Sequence, residues 1–283
     1  MKTKIIYSPK CLEYGDDFHP ENAERIGGAV AVLKKRDYEF ITPFPASKNE
    51  ILAAHSTGYI QAVKNGIARD ADTPAYADIY EHAQLSAGAA ILAAQTNNFS
   101  LMRPPGHHIG KNGAALGAAT RGFCYFNNIA IAVKKLNKKT VIIDIDGHHG
   151  NGTQEIFLND KKVTYISIHR NNVFPQTGSI TCANCFNYPL PADCGAKIYF
   201  QTLTQALNDA QVKINKAEIL AIDAGFDTHA GDLVSLGLET EDFFTLGKQI
   251  AALQKPTFFV AEGGYRGQLL GEDINAFLQG FET

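Results

Sequence analysis

The sequence predicts an α/β fold, a single-domain open and mostly parallel sheet with helices on both faces. Short apolar runs alternate with longer segments of helical periodicity, which is the sequence form of βαβ units. Of the 283 residues, 45% are hydrophobic and 19% are charged, so the chain can fill one large core. We therefore treat residues 1–283 as one domain.

The predicted strands are short apolar runs, and the predicted helices lie between them. Strands are expected at residues 4–7, 99–103, 140–146, 163–169, 219–223 and 257–261. Helices are expected at residues 79–95, 127–136, 196–214, 240–253 and 273–281, where apolar residues recur at helical intervals. Ser47 and Glu50 have the spacing of a capping box, which predicts another helix at that point.

Composition and charge disfavour two classes of partner. The formal net charge of -3 and the pI of about 6.3 provide no basic field that would attract nucleic acid. No apolar run approaches the ~18 residues of a membrane span, and the first run is too short for a secretory signal. We expect a cytoplasmic protein that binds neither nucleic acid nor membrane.

The five cysteines form an odd set without the spacing of a disulfide framework, which suits a reducing compartment. Cys182 and Cys185 have C-x-x-C spacing, and Cys194 could add a third ligand, but a structural zinc site normally has four. A partial metal site and free thiols in a loop both stay open. The lack of a second pair favours free thiols.

Polar clusters stand at the ends of five apolar runs. The runs lead into PPGHH, IDGHH, His169, FDTHAGD and EGGY, and ligands of open parallel sheets bind beyond the carboxyl ends of the strands. These clusters are therefore expected to converge. In an extended chain Asp144, Asp146 and His148 share one face, and buried carboxylates require a compensating cation. Asp227 offers a further ligand, and this chemistry suits zinc or ferrous iron.

Five motifs, in the order RPPGHH, GFCYFNN, DIDGHHGNGTQEIF, GFDTHAGD and EGGY, resemble the zinc-dependent histone deacetylase family. The match extends from HPENAERI at residues 19–26 to Tyr265, and it is closer to the class II and bacterial acetylpolyamine amidohydrolase branches. The resemblance implies an arginase/deacetylase-like fold and a hydrolase that acts on acylated amines.

The resemblance also implies two metal sites. It places zinc on Asp146, His148 and Asp227, and ferrous iron is the alternative metal. A potassium ion is expected beside the zinc, on residues that partly overlap with its ligands: Asp144, Asp146, His148, Ser167 and Ile168.

Four residues match catalytic positions of the family. His107 and His108 match tandem histidines beside the attacking water, and Asp144 matches the aspartate paired with His107. Tyr265 matches the tyrosine whose hydroxyl polarises the substrate carbonyl. His108 would take the proton of the water, and Tyr265 would donate a hydrogen bond to the oxyanion as it forms.

Substrate-binding roles follow from the same resemblance. Phe123 and Phe174 resemble the two aromatic walls of an acyl-lysine tunnel, and the Gly122 carbonyl would accept the N–H of the scissile amide. Asp72 resembles the aspartate at the rim that holds the substrate backbone. The acidic stretch LEYGDDFHPE is either a solvated loop or a rim that attracts cationic substrates.

The chain departs from the family pattern in three places. Asn151 stands where some members have an aspartate facing the second histidine, so His108 is expected to be less basic than His107. Gly147 replaces a larger apolar residue, which is expected to loosen the packing behind the metal ligands. The segment 109–121 is longer than in most relatives, and its glycines suggest a mobile loop at the mouth.

The main functional hypothesis is a zinc-dependent deacetylase acting on Nε-acyl-lysine of proteins or peptides. The same chemistry on acetylpolyamines or other small amides is the first alternative. A non-catalytic acyl-lysine binder and a two-metal, arginase-like hydrolase are further alternatives. Tyr265 argues against the binder because it is needed for turnover, and a single complete ligand set argues against the two-metal enzyme. A monomer is weakly preferred because the chain lacks the long insertion through which some relatives dimerise.

Overall fold

A parallel sheet forms the centre of the protein in this computed structural model, which describes residues 2–283. The strands are β1 (Ile5–Ile6), β2 (Phe40–Ile41), β3 (Phe99–Ser100), β4 (Ile109–Gly110), β5 (Gly113–Ala114), β6 (Thr140–Asp144), β7 (Val163–Arg170), β8 (Cys185–Leu190), β9 (Ile219–Ala224) and β10 (Thr257–Ala261). Eight of them form one sheet in the order β2-β1-β3-β10-β9-β6-β7-β8. All seven neighbouring pairs of this sheet are parallel, while β4 and β5 form a separate antiparallel pair.

The helices occupy the connections between the strands. They are α1 (Ala23–Lys35), α2 (Lys48–Leu52), α3 (Thr57–Lys64), α4 (Ile79–Thr96), α5 (Asn128–Leu136), α6 (Asn151–Phe157), α7 (Gly195–Asp209), α8 (Gln211–Lys216), α9 (Thr240–Ala251) and α10 (Gly267–Glu282). Helix α10 packs on α1 and α9, and α4 packs on α5. Every residue of β6, β9 and β10 is buried, so both faces of the central sheet are covered.

The predicted α/β architecture is confirmed, and the capping box at Ser47 is present with Glu50 as its partner. Strand β8 was not predicted, because Pro189 lowers the strand signal of its segment. Proline is tolerated there because β8 is the edge strand of the sheet. The predicted helix 196–214 is divided into α7 and α8, which are separated by Ala210.

Helix α10 begins six residues earlier than predicted, and Gly271 lies inside it. A Cβ at Gly271 would lie 2.7 Å from Val32 Cβ and 2.8 Å from Ala29 Cα, both in α1. The glycine therefore permits close packing of two helices and does not end one.

The C-x-x-C segment is a tight antiparallel turn at the start of β8. Cys182 and Cys185 exchange two backbone hydrogen bonds of 2.9 and 2.8 Å, and all five cysteines are free thiols. Neither residue belongs to a group that could hold a metal within residues 2–283. The prediction of free thiols is thus supported, although Cys185 lies in a strand and not in a loop.

No helix within residues 2–283 is long and apolar enough to span a membrane.

Candidate metal centre and active site

The central strands bring three polar segments to one edge of the sheet. Strand β6 lies between β7 and β9, and Asp144 at its end is paired in register with Ser167 and Asp223. The segments that follow β6, β9 and β10 carry Asp146, Asp227 and the EGGY motif respectively. The sequence motifs that were expected to converge therefore meet at this edge.

Asp146, His148 and Asp227 form a compact trio. One ligand atom from each lies within 4.8 Å of the other two. His148 Nδ1 is 2.8 Å from Asp227 Oδ2 and 3.1 Å from Asp146 Oδ1, and the two aspartate side chains are fully buried. Asp227 Oδ2 makes no hydrogen bond within residues 2–283. Two carboxylates and an imidazole that converge on one point, with an orphaned oxygen among them, fit a divalent cation.

Backbone donors fix the carboxylates of this trio. Gly147 N–H donates to Asp227 Oδ1 at 2.7 Å, and Gly263 N–H donates to Asp146 Oδ2 at 2.7 Å. Each carboxylate therefore keeps its other oxygen facing the centre. Burial and the neighbouring Asp146 charge raise the pKa of Asp227 to about 7, which reflects the repulsion that a cation would relieve.

Gly147 has no room for a side chain. A Cβ there would lie 2.5 Å from Val234 Cγ2, 3.0 Å from Val234 O and 3.1 Å from Asp227 Oδ1. The prediction that this glycine loosens the packing behind the ligands is wrong, because Val234 fills the space from the loop that follows Asp227. No pattern in the sequence indicated that these two segments touch.

His107 and Asp144 form a buried pair beneath the trio. His107 Nδ1 lies 3.2 Å from Asp144 Oδ2, which also accepts a hydrogen bond from the Tyr165 hydroxyl at 2.7 Å. Although burial opposes the charge, the carboxylates of Asp146 and Asp144 raise the pKa of His107 well above its ordinary value. His107 is thus stabilised as a cation.

His108 has a neutral partner instead. Asn151 Nδ2 donates to the Ala115 carbonyl at 2.8 Å, which leaves Asn151 Oδ1 facing His108 Nδ1 at 2.8 Å. An oxygen acceptor requires Nδ1 of His108 to carry the proton, so Nε2 carries the lone pair. Burial, together with the charges of His107 and His148, lowers the pKa of His108 well below its ordinary value. The expected difference in basicity between the two histidines is therefore present.

Tyr265 packs near Arg25 and Phe123 and keeps a protonated hydroxyl. Its ring is 4.9 Å from the Arg25 guanidinium carbon and 5.8 Å from the Phe123 ring, measured to the ring centroid. Burial and the charge of Asp227 raise the pKa of Tyr265 well above 10. The backbone N–H of Tyr265 donates to Asp232 Oδ2 at 3.0 Å, which fixes its position relative to the loop of Asp227.

Two phenylalanines stand beside these groups. The Phe174 ring centroid is 4.9 Å from that of His108 and 6.2 Å from that of His148, and Phe123 lies 4.7 Å from His19. Gly122 has a φ of 54°, and a Cβ there would lie 2.4 Å from His108 Cδ2 and 2.7 Å from Phe174 Cε1. Only glycine allows this close approach of the backbone to the site.

Asp72 lies at the mouth but already has partners. Its two carboxylate oxygens accept hydrogen bonds from the hydroxyls of Thr73 at 2.9 Å and Thr120 at 2.5 Å. The His19 ring nitrogen Nε2 is 3.0 Å from the Asp72 carbonyl, so the acidic stretch before His19 borders the same opening. Asp16 and Asp17 in that stretch are exposed, as both the solvated-loop and the rim interpretation expect, and the rim interpretation stays a prediction.

The residues predicted for potassium also lie together. Ser167 is buried and is the register partner of Asp144, and Ile168 follows it in β7.

The long 109–121 segment contains the β4–β5 hairpin. Glu155 holds this hairpin by accepting hydrogen bonds from the backbone N–H groups of Lys111 and Leu116. The predicted mobility of this segment stays a prediction.

Glu262 and Arg103 are buried charged residues with no predicted role, whereas Glu21 belongs to the acidic stretch expected in a solvated loop or at the rim and is buried instead. Glu262 accepts the backbone N–H groups of Gly106 at 2.7 Å and His107 at 3.2 Å, and it thereby positions the histidine pair. Arg103 forms hydrogen bonds of 2.5 and 2.9 Å with the Glu21 carboxylate. All three lie within motifs already noted, RPPGHH, HPENAERI and EGGY, but their contacts join segments distant in sequence and could not be read from one motif.

Comparison with known proteins agrees with this geometry. Residues 19–281 match the family model for the histone deacetylase domain. A probable deacetylase of Archaeoglobus fulgidus is 33% identical over 300 aligned positions, covering 94% of this chain and 82% of that protein. Acetylpolyamine amidohydrolase 1 of Pseudomonas aeruginosa is 34% identical over 236 positions, covering 75% of this chain and 65% of that protein.

Solved structures show the same fold. The crystal structure of an acetylpolyamine aminohydrolase from Burkholderia pseudomallei superposes with a TM-score of 0.88 at 26% identity and covers 99% of both chains. The structure of the HDA15 HD domain gives a TM-score of 0.85 at 28% identity, covering 98% of this chain and 87% of that one. The chain belongs to the histone deacetylase family.

Proposed function

We propose that this protein is a metal-dependent deacetylase that hydrolyses Nε-acyl-lysine in proteins or peptides. The observation that carries the proposal is the trio of Asp146, His148 and Asp227. The ring of His108, which carries its lone pair on Nε2, lies 5.6 Å from the ring of His148, and burial with the charge of Asp227 keeps the Tyr265 hydroxyl protonated. We assign the metal to this trio and propose zinc, with ferrous iron as the alternative. A bound divalent ion acidifies water and polarises an acyl oxygen.

The residues of the chain supply the remaining functions. His108 Nε2 accepts the proton of the attacking water, because Asn151 keeps the other ring nitrogen protonated, and it returns this proton to the lysine amine as the amide C–N bond breaks. His107 is held by Asp144, whose Oδ2 lies 3.2 Å from Nδ1 of His107, and would position the attacking water together with His108. Tyr265, whose hydroxyl stays protonated, donates a hydrogen bond to that oxyanion.

The substrate is held by groups that surround the trio. Phe123 and Phe174 form the walls along which the acyl-lysine side chain lies, and the Gly122 carbonyl accepts the amide N–H. Asp72 accepts backbone N–H groups at the rim, since each carboxylate oxygen that bonds a threonine hydroxyl keeps a second lone pair.

We further propose a potassium ion beside the divalent metal. Its ligands come from Asp144, Asp146 and His148, at or just after the end of β6, and from Ser167 and Ile168 within β7. Such an ion would offset the buried negative charge that remains around Asp144. We propose a monomer as the active form.

The test is the hydrolysis of an Nε-acetyl-lysine peptide by wild type and by Tyr265→Phe. We expect kcat to fall by about 100- to 1000-fold, because an oxyanion donor is lost, while metal content stays the same. Tyr188→Phe is the matched control. Tyr188 lies on the edge strand β8, and its hydroxyl donates a hydrogen bond to Asp209. Equal rates for wild type and Tyr265→Phe at full metal loading would refute the catalytic role and favour a binder.

A second candidate is hydrolysis of acetylpolyamines. The structural match with the acetylpolyamine aminohydrolase of Burkholderia pseudomallei covers 99% of both chains and favours this candidate. The exposed acidic stretch at the mouth also favours it. The discriminating measurement is kcat/KM for the acetyl-lysine peptide against acetylspermidine. An equal or higher value for acetylspermidine would move the assignment to the small-molecule enzyme.

A further inference from the structure

A cavity lined by five lysines lies at the edge of the sheet opposite the metal centre. Its volume is about 370 Å³, and we call it the lysine cavity, after Lys139, Lys161, Lys162, Lys213 and Lys216. It is bordered by Thr140, where β6 begins, whereas Asp144, where β6 ends, belongs to the metal centre. At ~3.3 Å per residue, the two sites are separated by about 13 Å along this strand.

Three separate parts of the chain supply the five lysines, all of which are exposed. Lys139 precedes β6, Lys161 and Lys162 precede β7, and Lys213 and Lys216 lie one helical turn apart in α8. They are distant in sequence, so the fold has brought together positive charges that no local pattern required. The protein as a whole carries a formal net charge of -3, which makes this local excess of cations more distinctive.

These lysines have no acidic partner. None of the five lies within 4.0 Å of a carboxylate in residues 2–283, and Lys162 Nζ instead bonds the neutral Asn137 Oδ1 at 2.9 Å. Asp160 lines the cavity but is paired with Lys134 at 2.9 Å. Glu218, next to the cavity, accepts the backbone N–H of Lys139. Like charges in a concave site repel one another and concentrate anions.

We propose that the lysine cavity binds a small polyphosphate-bearing ligand. A chain of three phosphates carries three or more negative charges in a volume of this size, whereas a mono- or dicarboxylate could neutralise at most two of the lysines. Ammonium groups bind phosphate oxygens as point charges from several directions, which suits five flexible lysines on three segments. No aromatic side chain lines the cavity, so a nucleobase would gain no stacking and the phosphate chain carries the recognition.

The experiment is calorimetric titration of the full-length protein with phosphate, pyrophosphate, tripolyphosphate and ATP at constant ionic strength. Affinity is expected to rise with the number of phosphates, and ATP is expected to bind within threefold of tripolyphosphate. The double variant K161Q/K213Q should bind tripolyphosphate at least tenfold more weakly. The control K48Q/K197Q removes two exposed lysines outside the cavity and should bind within twofold of wild type.

The control also separates this site from the metal centre, because polyphosphates chelate metals and both double variants leave the metal residues untouched. Similar affinity in both double variants, or equal affinity for all four ligands, would overturn the proposal. Binding of a single-stranded RNA that depends on Lys161 and Lys213, without binding of tripolyphosphate, would also overturn it and would identify a nucleic-acid surface. Thermal melting of each variant checks that the fold is retained.

Discussion

Replacing Gly147 by alanine tests how closely the metal ligands are held. Gly147 lies between Asp146 and His148, and its N–H fixes Asp227, so one residue touches all three members of the trio. Its φ is not in the left-handed region, and alanine is therefore not excluded by the backbone. The obstacle is Val234, whose Cγ2 would lie 2.5 Å from the new Cβ.

The size of the effect follows from that distance. Carbon atoms in ordinary contact are ~3.5–4.0 Å apart, so the segment must shift by about 1 Å. Overpacking of this kind destabilises by about 1–3 kcal/mol. A shift of about 1 Å in a reacting group can lower a rate about 100-fold. Because the Gly147 N–H is bonded to Asp227 Oδ1, the shift would reach the metal centre, and Gly147→Ala should lose metal affinity together with activity.

The assay combines urea denaturation, metal analysis and deacetylation rates for Gly147→Ala, Val234→Ala and the double variant. Val234→Ala alone should destabilise by about 2 kcal/mol through lost burial. Since it also removes the clash, the double variant should be at least ~1 kcal/mol more stable than additivity predicts and should regain part of its metal affinity. Gly58→Ala, where a Cβ meets nothing within 4 Å, should change stability by less than about 1 kcal/mol. Additive single effects, or a fully active Gly147→Ala, would refute the reasoning.

Three further predictions concern stability. Arg103→Met should destabilise the protein by about 3–5 kcal/mol in urea denaturation, because it leaves the buried Glu21 carboxylate without its main partner. Arg36→Met, at the exposed Arg36–Glu272 pair, should change stability by under about 1 kcal/mol. Similar losses in the two variants would contradict this prediction. His55 is buried with a pKa of about 4 against an ordinary 6.5, so the folded state binds its proton less readily than the unfolded state. Its contribution is present above pH 6.5 and is lost as the pH falls towards 4, by up to about 3 kcal/mol, and His55→Gln should flatten this part of the stability curve in denaturation at several pH values. Chelation should abolish activity and lower Tm, because removal of the metal restores the repulsion within the trio. Added zinc should restore both, and an unchanged Tm would argue against a metal there.

The sheet could be predicted because its central strands are continuous apolar runs. Strands β6, β9 and β10 are buried at every position, and a run of that kind is recognisable without knowledge of its neighbours. The edge was harder to predict, since Pro189 in β8 is acceptable only when no strand pairs on its far side. The start of α10 was likewise predicted too late, since the close packing of Gly271 against α1 depends on residues distant in sequence.

The site residues also differ in whether one sequence was enough to predict their contacts. Asp146, His148 and Asp227 were predicted to converge because they follow parallel strands, and the ends of such strands share one edge. The contact of Gly147 with Val234 was not predicted, and neither was the support that Glu262 gives to the histidine pair. Both depend on which loop covers which, and one sequence does not determine that.

Buried negative charge explains why the metal centre and the fold depend on each other. Asp144, Asp146, Asp223, Asp227 and Glu262 are all at most 1% exposed. Three of their oxygens, Asp223 Oδ1, Asp227 Oδ2 and Glu262 Oε1, make no hydrogen bond within residues 2–283. Burying an ionised carboxylate without a partner is unfavourable by several kcal/mol, and burial accordingly raises the pKa of Asp223 well above its ordinary range and the pKa values of Asp227 and Glu262 to about 7. A cation bound by Asp146, His148 and Asp227 would relieve this cost, so the residues proposed for the chemistry also link metal binding to the stability of this edge of the sheet.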